Sequence, residues 1–194
     1  TEVSGKKVAE EFGISRVYTD WNELVSSDHI DAVCIGTWPY LHAPITIEAL
    51  AAGKHVLTEA RMCMNFEEAQ SMSAAAERSD RVAMIVPAPF YLTAEPTLLR
   101  MLEEGFFGRI LEIEVRGLSG GFNPEAPLHW RQRRDLSGEN IMALGIFNET
   151  VRRYAGHEKS VMAHGTIFTR ERLDSEVGVI RTADVPESIG VISE

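Results

Sequence analysis

DAVCIGTWPYLHAPITIEALAAGKHVLTEARMCMNFEEAQSM, residues 31–72, decides the fold. It opens with an apolar run from Asp31 to Thr37 that reads as a buried strand. A helix is predicted from about Leu41 to Ala52, with Gly53 as its stop signal. KHVLTE is the next strand. Asn65 then offers an N-cap, and Glu68 three residues on completes a capping-box pattern ahead of an Ala-rich helix. Downstream, RVAMIVP reads as a third strand. Upstream, Val3, Val8 and Phe12 lie near one face of a helix that Gly13 ends, and a short helix follows Asp20. Strands alternating with helices of about ten to fifteen residues imply βαβ units and a parallel sheet.

After Pro89 the pattern changes. A helix is predicted from about Thr93 to Glu104, stopping at Gly105. RILEIEVRG, residues 109–117, alternates cleanly: Leu111, Ile113 and Val115 on one face, Glu112, Glu114 and Arg116 on the other. That is the pattern of a half-exposed strand. A polar loop runs through Trp130 to Asp135, and a helix is expected from about Ser137 to Tyr154. SVMAHGTIFT and SIGVIS read as further strands, the last of them unpaired. The reading is therefore α/β: a partial Rossmann-type, doubly wound parallel sheet over residues 1–90, then part of an α+β domain with an open, mainly antiparallel sheet over residues 91–194.

Composition narrows the function. Of 194 residues, 44% are hydrophobic and 25% charged, which is ordinary for a globular protein. A net charge of −10 repels phosphate backbones and anionic membrane surfaces, so neither nucleic acid nor membrane is an expected partner. No apolar run reaches the roughly 18 residues that span a bilayer. The opening TEVSGKKVAEEFG has neither the apolar core nor the cleavage site of a signal peptide. Two cysteines, Cys34 and Cys63, suit a reduced, cytoplasmic setting and a structural role.

A doubly wound dinucleotide domain holds the pyrophosphate on a glycine-rich turn after its first strand. No G-x-G-x-x-G occurs in these residues. Either the chain binds no dinucleotide, or it begins after the unit that carries the fingerprint. The second reading is favoured, because the 31–72 stretch resembles a signature of the Gfo/Idh/MocA oxidoreductases (glucose–fructose oxidoreductase, inositol dehydrogenase and relatives). Thr37, Pro39 and His42 sit where that family has a Thr-Pro-Asn-type turn and a helix-opening His. Gly53 to Val56 match its Gly-Lys-His-Val run, and Glu59 matches the glutamate of its Glu-Lys-Pro. LLRMLEEGFFGRILEIEV resembles its passage into the second domain, and Trp130-Arg131 a pair common before its active-site helix.

The resemblance implies NAD or NADP as cofactor, a sugar or polyol substrate, and a homodimer or homotetramer. It places Thr37, Trp38, Pro39, His42, Glu59 and Ala60 around the nicotinamide. The physical support is that ligands lie outside the carboxyl ends of strands in open α/β sheets, where Thr37 and Glu59 fall. The plainer alternative makes Thr37 and Pro39 a turn and His42 a helix cap. Trp130 and Arg131 offer stacking and a hydrogen-bond donor to a sugar-like ligand, or merely anchor a surface loop.

The catalytic positions depart from the family pattern. Its lysine aligns with Ala60, and its Asp-x-Gly-x-His-x-x-Asp helix becomes Ala143, Gly145, Phe147 and Thr150. Phenylalanine cannot move a proton, and losing an acid/base group costs roughly 10²- to 10⁴-fold in rate. Arg61 is a candidate to steady an alkoxide, though its guanidinium cannot act as a base. Glu149 is the candidate base, Asn148 only a hydrogen-bonding group, and a solvated helix face is the plain reading of both. Gly145 inside a helix costs about 1 kcal/mol relative to Ala, which close approach of another backbone or a ligand would explain, and helix packing equally well.

His164 reads as an exposed or structural strand residue, and Arg131, Arg133 and Arg134 are too short a basic run for nucleic acid. No metal, nucleophile-elbow or P-loop spacing is present. The expectation is an NAD(P)-dependent oxidoreductase acting on CH–OH groups. Its alternative is an inactive cofactor- or sugar-binding sensor of the same fold.

Overall fold

The computed structural model describes residues 1–87, 92–139 and 144–194. They form two compact units, Thr1–Val86 and Pro87–Glu194.

In the first unit, α1 (Glu2–Phe12) ends at Gly13, whose φ of 66° is the left-handed cap that glycine adopts freely. Asp20 caps the short α2 (Trp21–Val25) by accepting from the Asn22 amide. Strands β1 (Ala32–Ile35), β2 (His55–Thr58) and β3 (Ala83–Ile85) form a parallel sheet in the order β1-β2-β3, with Ala32 opposite His55 and Val56 opposite Ala83. The crossovers are α3 (His42–Ala51) and α4 (Phe66–Glu77). α3 closes in a Schellman pattern: Gly53 N donates to Leu50 O and Lys54 N to Ala49 O, with Gly53 at φ 73°.

Val33, Ile35 and Val56 pack with Ile45, Ala49 and Leu50 of α3, Val25 of α2 and Ala75 of α4. β1 is covered on one face only: Val33 and Ile35 are buried while Ala32 and Cys34 are exposed, and all of β3 is exposed. Full burial, expected from the apolar run, requires helices on both faces, and the described helices pack on one.

The Asn65 cap differs in detail from the expected box. Asn65 Oδ1 accepts from Glu68 N, but Glu68 Oε2 accepts from the amide of Met64, one residue before the cap. Two orphan donors are still satisfied.

In the second unit, α5 (Glu95–Glu103) closes on Gly105 at φ 71°. The helix expected from about Ser137 is described only from Leu144, and a separate short helix precedes it. α6 (Arg134–Ser137) ends at Gly138, whose φ is 69° and whose N–H returns to Arg134 O, and α7 is described over Leu144–Ala155. The strand expected at 109–117 is not formed: residues 110–119 join no ladder among the described residues, and Leu111 and Val115 stay 79% and 48% exposed. Alternation supplies two faces, but a strand also needs a neighbour for its amides and carbonyls.

SIGVIS is not unpaired. β7 (Ser188–Ser193) pairs antiparallel with β4 (Val161–Thr166) in continuous register from Val161–Ser193 to Thr166–Ser188. A hairpin that hydrophobic pattern does not announce, β5 (Glu171–Asp174) with β6 (Val179–Thr182), turns through Gly178 at φ 72°. Its buried positions are Arg172 and Asp174, the reverse of an apolar stripe. Among the described residues no helix is long and apolar enough to cross a membrane.

Candidate functional site

The carboxyl ends of β1 and β2 carry the first group of candidate residues. Thr37, two residues beyond β1, is exposed, and its Oγ1 donates to the Trp38 carbonyl. Trp38 is 39% exposed, and Pro39 is buried at the start of a single 3-10 turn. Glu59 follows β2, held by its N–H to Ile35 O, and its residue is exposed. Together with Cys34, Ile35, Gly36, Leu57 and Val86, Glu59 lines a cavity of about 140 Å³. Ala60 is exposed and Arg61 half-buried, and the peptide bond between them is cis.

His42 is placed differently from its neighbours. Its side chain is 1% exposed, with Nε2 2.8 Å from the Thr37 carbonyl oxygen and Nδ1 2.6 Å from that of Arg61. The ring is occupied on both sides by main chain, so His42 bridges the two turns. A larger cavity of about 490 Å³, lined by Arg16, Tyr18, His29 and others, lies against residues preceding β1, away from the carboxyl ends.

The second unit carries the other group. The Arg131 guanidinium carbon stands 4.1 Å from the Trp130 ring centroid, and the His129 ring lies 5.5 Å from it at 33°. Burial, reinforced by the Arg131 cation, holds the His129 imidazole below its usual pKa, and its Nδ1 accepts from the Arg131 amide. The loop is pinned on its inner side. Leu128 N donates to Leu173 O, Asp184 N to Gln132 O, and the Arg134 amide to Asp184 Oδ1. Beneath it, Arg172 is 2% exposed in its side chain and donates to Asn123 O, Ala126 O and Glu187 Oε1.

Glu187 also accepts from the amides of Phe168 and Thr169 and from Gln132 Nε2. Burial raises its pKa, but the Thr169 amide, Arg172 and the Phe168 amide together outweigh this and leave it below the usual carboxylate range. The sequence analysis missed this network. Its charged residues read as solvated, and the one signal available was Arg172 and Asp174 two apart on a strand.

On α7, Glu149 is half-exposed and pairs with Arg153 at 3.5 Å, while Arg153 also pairs with Glu95 at 3.2 Å. The Asn148 side chain hydrogen-bonds Glu158, whose carboxyl falls to about 2, chiefly through its hydrogen bond to Arg152. Phe147 lies against the backbone of Gly117: a Cβ there would stand 2.9 Å from Phe147 Cζ. A Cβ on Gly145 would meet nothing within 4 Å among the described residues. Ala143 lies outside the described residues. His164 is exposed, its Nε2 3.4 Å from Thr166 Oγ1. Of the basic run, Arg133 is paired with Asp135 and Arg134 with Glu139. Burial raises the pKa of the Cys63 thiol, whose Sγ donates to Asn65 O.

Residues 2–86 match the family model described as the oxidoreductase family with an NAD-binding Rossmann fold. Over that segment the chain is similar to the Gfo/Idh/MocA oxidoreductases. It is 30% identical to levoglucosan dehydrogenase of Pseudarthrobacter phenanthrenivorans over 137 residues, 70% of this chain and 35% of that protein. It is 36% identical to a glycosyl hydrolase family 109 protein of Shewanella baltica over 104 residues, 51% of this chain and 22% of that protein. A solved structure of levoglucosan dehydrogenase with NADH and L-sorbose superposes with a TM-score of 0.83 at 25% identity, covering all of this chain and 52% of that one. This chain thus spans about half of that structure's length. The likeness extends through the second unit as well as the Rossmann segment.

Proposed function

We propose that this chain is part of an NAD(P)-dependent oxidoreductase that passes a hydride between nicotinamide and a sugar, cyclitol or similar polyhydroxylated molecule. The observation that carries the proposal is the parallel sheet whose carboxyl edge brings Thr37, Glu59 and the Arg61 peptide together, within a segment matched by an NAD-binding family. The 140 Å³ cavity is smaller than the roughly 300–1,000 Å³ of whole ligand pockets, and so suits one ring of a dinucleotide. When bound, the nicotinamide supplies the carbon that accepts or gives the hydride.

Thr37, Trp38, Pro39, Glu59 and Ala60 would border the ring, with His42 behind them. Trp130, with the Arg131 guanidinium over its ring, would offer an aromatic surface and hydrogen-bond donors to a sugar ring and its hydroxyls. Arg61 would steady the substrate oxygen, Asn148 would hydrogen-bond it, and Glu149 would take the proton that Phe147 cannot. In this reading residues 1–90 are part of the NAD(P)-binding domain and residues 91–194 part of the domain for substrate and self-association as a homodimer or homotetramer. A cytoplasmic location is proposed from the two free cysteines.

The test uses protein expressed from the full reading frame that encodes this chain. Nicotinamide absorbance is followed over a panel of polyols, aldoses and ketoses, with Glu149→Ala alongside. Turnover that Glu149→Ala reduces at least about a hundredfold is expected. No change in nicotinamide with any substrate would sink the proposal. Glycoside cleavage without net nicotinamide change would replace it with hydrolysis.

A further inference from the structure

The two hydrogen-bond partners of His42 have a consequence for its chemistry. Both are main-chain carbonyl oxygens, Thr37 O at 2.8 Å and Arg61 O at 2.6 Å, and a carbonyl oxygen can only accept. A neutral imidazole has one N–H and one bare lone pair. In either tautomer it would point that lone pair at a carbonyl oxygen from within hydrogen-bond distance, in a site that is 1% exposed. With a proton on each nitrogen, both contacts become charge-assisted hydrogen bonds, the shorter and stronger kind. The two carbonyl dipoles then face the ring's positive charge from opposite sides, and hydrogen bonds to the charged form favour it.

We propose that His42 is a positioning residue that donates from both ring nitrogens at once, tying the turn after β1 to the turn after β2. The turn after β1 carries Thr37, Trp38 and Pro39; the turn after β2 carries Glu59, Ala60 and Arg61. His42 opens α3, whose buried residues Ile45, Ala49 and Leu50 belong to the core, so the ring is fixed to the rigid body of the unit. Main-chain carbonyls on two separate turns are thereby held to one planar ring, and their separation is set by the ring's width. The proposal deepens the cofactor reading and rests on it for its functional consequence, but the donor count stands on geometry alone.

Two measurements test it. Nitrogen-15 spectra of histidine-labelled protein, with His42 assigned by comparison with His42→Gln, should show both His42 nitrogens with directly bonded protons. One protonated and one bare nitrogen would overturn the proposal whatever the cofactor does. In protein from the full reading frame, His42→Gln keeps a single donor nitrogen and should raise KM for the nicotinamide cofactor by about tenfold or more. An unchanged KM, with only the melting temperature lowered, would reduce His42 to a structural residue and overturn the positioning role. If the natural protein shows two protonated nitrogens but no NADH or NADPH binding, the donor count stands and the cofactor reading alone fails.

Discussion

Replacing Glu187 by Gln removes one charge from the buried core of the second unit while keeping its shape. Arg172, 2% exposed, then keeps a full positive charge without its carboxylate partner at 2.6 Å. The Gln amide has one acceptor where the carboxylate had two, yet four donors converge there: the Phe168 and Thr169 amides, Gln132 Nε2 and Arg172 Nη2. At least one donor must face an amide NH₂. Removing one partner of a buried pair costs about 3–5 kcal/mol, and the retained carbonyl places this change near the lower end, about 3 kcal/mol. That is a large fraction of a stability of about 5–15 kcal/mol.

The assay is urea unfolding followed by Trp130 fluorescence, in a background where Trp21 and Trp38 are Phe. With a slope of about 1.5 kcal/mol/M, the midpoint should fall by about 2 M. The paired change Arg172→Met with Glu187→Leu leaves no uncompensated charge but strands the Phe168 and Thr169 amides and the Asn123 and Ala126 carbonyls, so it should not recover the loss. A fall under about 0.5 M for Glu187→Gln would mean that the pair behaves as a solvated surface contact, and the reasoning would be wrong.

Glu158 is lowered from 4.5 to about 2, so its interaction with Arg152 stabilises the fold above pH 4.5 and is lost as pH falls towards 2; Glu158→Gln should flatten the acid limb of a stability–pH curve over that window, and an unchanged limb would contradict the assignment. Gly117→Ala should cost about 1–3 kcal/mol by overlap with the Phe147 ring, and Phe147→Ala should relieve most of it, as a double-mutant cycle in urea can check. Asn65→Ala should lower stability by about 0.5–2 kcal/mol through the lost cap on the Glu68 amide, measured as a melting shift, whereas Asn65→Asp should leave it nearly unchanged.

The legible parts of the candidate site are those tied to local chain geometry. Thr37 and Glu59 fall just beyond strands that the apolar runs mark, and the parallel register places those strand ends side by side. His42 was legible as a residue of that turn but not as a buried bridge, because its two acceptors lie 5 and 19 residues away along the chain. Gly117 had no signal at all, since its partner Phe147 is brought to it only by folding.

By itself the sequence determined the alternating strands and helices of the first unit, their glycine stops at positions 13 and 53, the stop at Gly105 in the second unit, and the caps at Asp20 and Asn65. Each of these depends on neighbours within about five residues, where periodicity and backbone preference act directly. Only the tertiary structure decided that residues 109–117 join no ladder among the described residues, that β7 pairs with β4, and that the buried face of β5 is charged. Pairing needs a partner strand and charge burial needs a counter-charge. Both come from residues distant in the chain, such as Glu187 for Arg172, and no local pattern encodes where such a partner will be.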